Sequence, residues 1–333
     1  MGRFSCGALL GLAVLHMACA DSRYPKDDRL DLSCVQARGT HNSYHLEPAD
    51  PLDPSLRYAH LPLGRQLEEQ GVRQLELDLH LRTGEGFEVF HLPAGLDEET
   101  TCLRFTDCLA EIRAWSDANR DHLPLMIWLE PKDQDMDWAD PALEAFVGRY
   151  DGLEEEILSV FEIDRILTPD ELRGEHADLP GAIAADGWPS LGRVRGRVLF
   201  AMLDSGEHRS AYTDGAPALQ GRLMFVDADD ADDPAAAVFK LNNPVSDADE
   251  IRALVRAGFL VTASVDGIER TDEENQARLD AALSSGVHFL SSDLPAPVVG
   301  RDYFLEIPGG TLARCNPVSA PADCRPEDLE DGS

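Results

Sequence analysis

Short apolar runs with polar exits recur along the chain, and where a period can be read it is two. Val72 to Leu79 alternates strictly after Gln74. Leu75, Leu77 and Leu79 fall on one face, and Glu76, Asp78 and His80 on the other, as the strand period requires. Val35 to Thr40, Phe87 to His91, Leu125 to Glu130, Val198 to Leu203, Leu223 to Asp227, Phe259 to Ala263 and Val287 to Leu290 read as further strands. Helix-like segments lie between them. Leu63 to Gln70 is stopped by Gly71, and 106–119 repeats Leu109, Ile112 and Trp115 at helical spacing. Segment 138–150 carries Leu143, Phe146 and Val147 on one face, 247–257 is stopped by Gly258, and 273–285 precedes Gly286. Residues 46–62 hold four prolines and read as a loop, and 151–192 read as irregular with short helical pieces.

This alternation of strands and helices predicts an α/β protein of the (β/α)8 TIM-barrel class, in one domain over 33–307. The connection from Leu79 to Phe87 is too short for a helix, so the barrel is expected to be irregular there. In such a barrel the leucines of the Val72 run face the covering helices, and its carboxylates point inward near the mouth. Inward carboxylates without counter-charge are costly, which argues for a metal ion. Residues 308–333 read as an ordered tail clipped by a disulfide.

Composition narrows the reading. The chain has 333 residues, 62 of them acidic and 29 basic, for a formal charge of -33. That surface argues against nucleic acid and against general affinity for anionic membranes. Binding an anionic substrate then needs a local cation. Residues 1–20 read as an export signal, with Arg3, an apolar run from Cys6 to Met17, and an A-x-A site at Ala18-Cys19-Ala20. Cys19 could instead be lipidated, although His16 stands where that signal expects an aliphatic residue. Either route places the mature chain outside the cytoplasm, secreted, periplasmic or on the outer surface. Cys102 with Cys108 and Cys315 with Cys324 are natural local pairs in an oxidising compartment. The first pair requires helix onset after Cys102, with Thr106 a candidate N-cap, because two cysteines six residues apart in one helix point to different faces. Cys34 is left over as a small buried hydrophobe.

Strand exits carry the candidate chemistry. His41-Asn42, Glu76-x-Asp78, His91 and Glu130 would gather at one end of the sheet, where barrel function sits. Two imidazoles, three carboxylates and an amide suit a Ca2+-assisted acid/base reaction on a phosphate ester. No cysteine joins the cluster, which argues against thiolate-bound zinc, while Mg2+ stays open as the second choice. The bland alternative pairs Glu76 and Asp78 with Arg38 and Arg73. Lys132 shares the inward face with Glu130 if the strand continues, and Lys240 in V-F-K-L-N-N-P could reach a phosphate. His45 and His80 stand behind the site, and His122 reads as a surface residue. Asp204 and Asp227 face the same rim. The acidic run at 227–233 reads as a solvated loop, since no glycine-turned calcium loop is present.

R-G-T-H-N-S-Y at 38–44, L-E-L-D at 75–78, F-H at 90–91 and W-L-E-P-K at 128–132 resemble the catalytic half of phosphoinositide-specific phospholipase C, in its secreted, calcium-dependent bacterial branch. The resemblance spans roughly 33–300 and is more specific in its first half. It implies a (β/α)8 barrel in which His41 and His91 perform acid/base catalysis and Asn42, Glu76, Asp78 and Glu130 hold Ca2+. It further implies internal attack by the inositol 2-hydroxyl, with Glu76 or Glu130 as base and His91 as the acid toward diacylglycerol. Lys132 and Lys240 would contact substrate. The expected partners are a phospholipid headgroup and a transient membrane surface, with no nucleic acid and no obligate protein partner. The chain departs from the family at 260–267, where Thr262, Ala263 and Ser264 stand in place of arginines, which argues for a plain or lightly phosphorylated headgroup. The rival readings are a glycerophosphodiester phosphodiesterase, a sphingomyelinase D-like enzyme and, in another class, a catalytically silent surface binding protein.

Overall fold

The computed structural model describes residues 23–132 and 140–330. The export signal, with Cys19, and residues 133–139 lie outside the described residues. The strands are β1 (Val35–Thr40), β2 (Val72–Arg82), β3 (Gly86–Val89), β4 (Leu125–Pro131), β5 (Leu143–Glu144), β6 (Val198–Met202), β7 (Phe225–Val226), β8 (Val238–Lys240), β9 (Leu260–Ser264), β10 (Phe289–Ser292) and β11 (Ala313–Cys315). The helices are α1 (Leu63–Glu69), α2 (Phe105–Ala118), α3 (Tyr150–Val160), α4 (Pro169–Arg173), α5 (Leu179–Asp186), α6 (Leu191–Val194), α7 (Glu207–Thr213), α8 (Ala248–Arg256) and α9 (Asp272–Ser285).

Eight strands pair in parallel in the order β7-β6-β4-β2-β1-β10-β9-β8. A parallel bridge between Asp227 and Val238 joins the two ends. Read around the ring, the strands follow chain order, the topology of the expected (β/α)8 barrel. Leu75, Leu77 and Leu79 are fully buried in a core shared with Leu67 of α1 and Ile112 of α2. Burying each such side chain stabilises the fold by about 1.5–3 kcal/mol. α9 starts in a capping box between Thr271 and Glu274 and ends at Gly286, whose φ of 93° suits glycine.

Four expectations change. Phe87 to His91 is not a barrel strand, because the turn at 83–85 only reverses the chain. β3 therefore runs antiparallel to β2, with Leu79 opposite Val89. The barrel place falls instead to β8, a short strand after Ala235, Ala236 and Ala237 that shows no readable alternation. The expected 138–150 helix is absent where it is described. Leu143 and Glu144 pair with the upper end of β2, and α3 begins only at Tyr150. Segment 151–192 is largely helical, as α3 to α6. The connection without a helix is the acidic 227–237 segment between β7 and β8.

Both local disulfides form, Cys102–Cys108 and Cys315–Cys324, and Cys34 is free and buried. α2 starts after Cys102 as required, but its cap residue is Arg104 and not Thr106. The tail adds β11 antiparallel to β1 and sends Glu330 beneath the barrel, where it accepts from Arg73 and from the Leu123 backbone.

Candidate active site

The chain turns sharply as it leaves β1. Asn42 adopts φ 41°, a left-handed conformation that asparagine tolerates better than most side chains. Ser43 then locks this turn to β2. Its backbone N–H donates to the Glu76 carbonyl at 2.9 Å, and its Oγ accepts from the Glu76 N–H at 2.8 Å. Just before the turn, Gly39 leaves room for the buried Gln74 side chain, since a Cβ there would lie 2.1 Å from Gln74 Oε1. β2 carries Glu76 and Asp78 inward, and its register sets Asp78 opposite Glu130 of β4.

These residues fit a hard cation. Glu76, Asp78 and Glu130 each offer an oxygen within 4.8 Å of the others. Oδ1 of Asn42, Oε1 of Glu76 and Oδ1 of Asp78 are buried and accept no hydrogen bond among the described residues, and Asp78 Oδ2 has only the Lys132 ammonium beside it, at 3.1 Å. Buried acceptors are normally satisfied, so unpartnered oxygens converging from two strands and a turn form a donor set for an oxygen-loving ion such as Ca2+.

Lysines supply the nearby counter-charge. Lys240 Nζ lies 2.6 Å from Glu76 Oε2, and Lys132 Nζ lies 2.6 Å from Glu130 Oε1 and 3.1 Å from Asp78 Oδ2. Burial would raise the Glu76 carboxyl, but Lys240 and His41 outweigh it and hold it below its ordinary value. Asp78 is pushed up to about 6 by burial and by the Glu130 charge. Burial would lower the Lys132 pKa, but Asp78 and Glu130 outweigh it and hold the ammonium protonated. The alternative arginine pairing does not occur, because Arg38 donates to the Gln70 carbonyl and Arg73 to Glu330.

Each candidate histidine rests on an aspartate that the sequence reading did not single out. His41 Nδ1 lies 2.9 Å from Asp293 Oδ1, and its Nε2 lies 4.0 Å from Glu76 Oε1. Burial would lower the His41 pKa, but Glu76 and Asp293 outweigh it and push it up to about 9. Asp293 is itself held in place, its N–H donating to Asp266 Oδ1 at 2.7 Å. Tyr303 Oη and Ser292 Oγ donate to the other Asp266 oxygen. His91 Nδ1 lies 2.7 Å from Asp97 Oδ2, and Asp97 also meets His45 Nε2 at 3.0 Å. His80 stacks on Phe90 and donates from Nε2 to the Phe90 carbonyl, beneath His91.

A cavity of about 640 Å³ opens above these groups. His41, Glu76, Glu130 and Lys240 line it, with Asp204 and Asp227 on the rim as expected. His91 is not part of that lining and follows the antiparallel β3 instead. Asp227 accepts from the Lys240 N–H at 2.7 Å, and burial pushes its carboxyl up to about 7. Two more members of the acidic run, Asp229 and Asp233, pair with Arg209.

Two expectations are corrected here. The cavity wall is not without arginine, since Arg270, from the loop after β9, and Arg278, from α9, both line it. Arg278 donates to the Asn242 and Ser264 carbonyls at 2.6 Å each, which braces that wall. His122 is buried, not a surface residue, and is held by Ser116 Oγ at 2.7 Å. Asp293 was within reach of sequence reasoning, because S-S-D at 291–293 is another polar strand exit.

A parallel barrel with a carboxylate and amide cluster at its mouth and two aspartate-backed histidines is an arrangement suited to acid/base chemistry beside a cation site. The family model for Phosphoinositide phospholipase C, Ca2+-dependent, matches residues 80–317, and the chain belongs to that family. The match takes in His91, Glu130 and Asp293 and begins beyond His41 to Asp78. Among solved structures, the Ca2+-dependent phosphatidylinositol-specific phospholipase C from Streptomyces antibioticus is 21% identical with a TM-score of 0.55, over 79% of this chain and 95% of that one. The calcium-dependent phosphoinositol-specific phospholipase C from a Gram-negative Pseudomonas sp. is 16% identical with a TM-score of 0.57, over 87% of this chain and 97% of that one. These likenesses establish the shared fold. No curated protein matches the chain by sequence.

Proposed function

We propose that this enzyme cleaves phosphatidylinositol-type lipids in a Ca2+-dependent reaction, by internal attack of the inositol 2-hydroxyl on the phosphodiester. The observation that carries this reading is the set of unpartnered buried oxygens on Asn42, Glu76 and Asp78, facing Glu130 and His41 at the barrel mouth. Asn42, Glu76, Asp78 and Glu130 would hold the ion, which when bound supplies positive charge to the phosphoryl oxygens and the attacking hydroxyl.

The chain's own groups do the rest. Glu76 or Glu130 takes the proton of the 2-hydroxyl. His41, protonated at neutral pH and steered by Asp293, donates toward the phosphoryl oxygens as their charge builds. Lys132 and Lys240 add positive charge beside the phosphate. His91, oriented by Asp97, protonates the departing diacylglycerol oxygen, leaving a cyclic inositol phosphate. The enzyme works outside the cytoplasm, in keeping with its two disulfides, and meets the membrane surface only in passing.

Incubation with phosphatidylinositol, glycerophosphoinositol and lysophosphatidylcholine, each with and without Ca2+, tests the reading. The expected result is calcium-dependent release of diacylglycerol from the first. Turnover of lysophosphatidylcholine alone, or none at all, would reject it.

A further inference from the structure

The cavity floor brings together three carboxylates and two ammonium groups in direct contact. Both lysines sit on the residues whose oxygens mark the cation site. The Lys240 side chain is 3% exposed and that of Lys132 23%, so solvent does little to screen their charges. His41 is matched with Asp293 and Arg270 with Glu269, while Asp204, Asp227 and Arg278 line the rim and wall of the cavity. The five groups in direct contact make up the charge of the floor itself.

Counting charge with every group ionised, three carboxylates against two ammonium groups leave one net negative charge. A divalent cation turns this into one net positive charge. A phosphodiester carries a single negative charge and brings the assembly back to neutrality. The cation alone is thus opposed by two nearby ammonium groups, and the phosphodiester removes that opposition.

We propose that Lys132 and Lys240 couple calcium loading to the substrate, keeping the ion's affinity low by itself and raising it when a phosphodiester anion enters. This rests on the metal assignment made above. Linkage makes the effect reciprocal, since the anion strengthens the cation by the same factor as the cation strengthens the anion. Such couplings are commonly about 5–150-fold. Loss of either lysine removes one positive charge, so the variant should bind calcium more tightly alone and gain less from the anion.

The test is calorimetric titration of calcium into the wild-type chain, Lys240→Met and Lys132→Met, in mildly alkaline buffer. Each titration is run alone, with dimethyl phosphate, and with neutral trimethyl phosphate. Dimethyl phosphate is a stable monoanionic diester with no hydroxyl to attack. Wild-type affinity should rise roughly tenfold or more with dimethyl phosphate and stay unchanged with trimethyl phosphate. Lys240→Met should bind calcium roughly tenfold more tightly alone and lose most of the gain from the diester. Circular dichroism checks folding, and Lys240→Gln and Lys132→Gln replace any methionine variant that fails to fold. Folded variants with unchanged or weaker calcium affinity would overturn the coupling alone. A wild-type chain that takes up no calcium under any condition would overturn the metal assignment and the coupling together.

Discussion

Asp293 Oδ1 lies 2.9 Å from His41 Nδ1, which leaves Nε2 as the ring nitrogen facing Glu76 and the cavity. The aspartate fixes the ring orientation and stabilises its charged form. Asp293→Asn keeps the shape and removes the charge. Turnover should fall by about 10–100-fold with little change in KM, if the loss resembles that of other orienting partners. A rise in KM at unchanged turnover would show that Asp293 serves binding instead.

His91 stands on the other side, held by Asp97 at 2.7 Å. His91→Ala should reduce diacylglycerol release by roughly 10²–10⁴-fold. It should spare much of the activity on an aryl leaving group, which departs without a proton. His41→Ala should damage both reactions, because charge develops on the phosphoryl oxygens whatever leaves. Equal losses for both leaving groups in His91→Ala would remove His91 from the acid role.

Calcium uptake should depend on the donor set and not on the bulk acidity of the surface. Asn42→Ala combined with Glu130→Gln should weaken binding by at least about tenfold, since losing even an outer-shell partner of a metal ligand costs about 10–100-fold. Neutralising exposed Asp229 and Asp230 should leave it unchanged. The comparison is a direct titration of folded, metal-stripped protein, and the opposite ranking would move the site to the acidic 227–233 run.

Stability should fall in mild acid. His288 accepts from the Val261 N–H at Nδ1 and meets the Ser33 carbonyl at Nε2, an arrangement that requires the neutral ring. Burial lowers its pKa to about 4, and does the same for His60, His80 and His122. A lowered histidine pKa means that the unfolded chain binds protons the native one does not. Stability therefore drops as pH falls from about 6.5 toward 4, by at most about 1.4 kcal/mol per pH unit for each such histidine. Urea unfolding at intermediate pH values should show this slope, and His288→Gln should flatten it. A slope of opposite sign would contradict the neutral assignment.

The first half of the site was legible because β2 alternates cleanly. Once Leu75, Leu77 and Leu79 are placed outward, Glu76 and Asp78 can only point inward. His41, Asn42 and Glu130 follow from the same strand-exit reasoning. β8 was not legible, because Val238–Lys240 follows three alanines and is too short to show a period. β3 misled because an apolar run says nothing about direction; the three-residue turn before it does. Arg270 and Arg278 could not be placed from a local pattern, since they reach the cavity from a loop and a helix whose tilt is set by packing. His122 shows the limit of polarity as a guide to exposure, because Ser116 and a backbone carbonyl satisfy it inside the core.

The β2–β3 hairpin divides the chemistry between two pieces of different robustness. The carboxylates and His41 belong to the closed ring. His91 rides on a short antiparallel appendage whose following loop is anchored to α2 through Cys102–Cys108. That disulfide is a tether the ring does not share, so once it is reduced the segment carrying His91 is expected to open at a lower free energy than the ring. Under gentle reduction the enzyme should fall silent while still folded and still able to take up its ion. Inactivation of this kind would be reversible on reoxidation, and its midpoint would report the tether rather than the barrel.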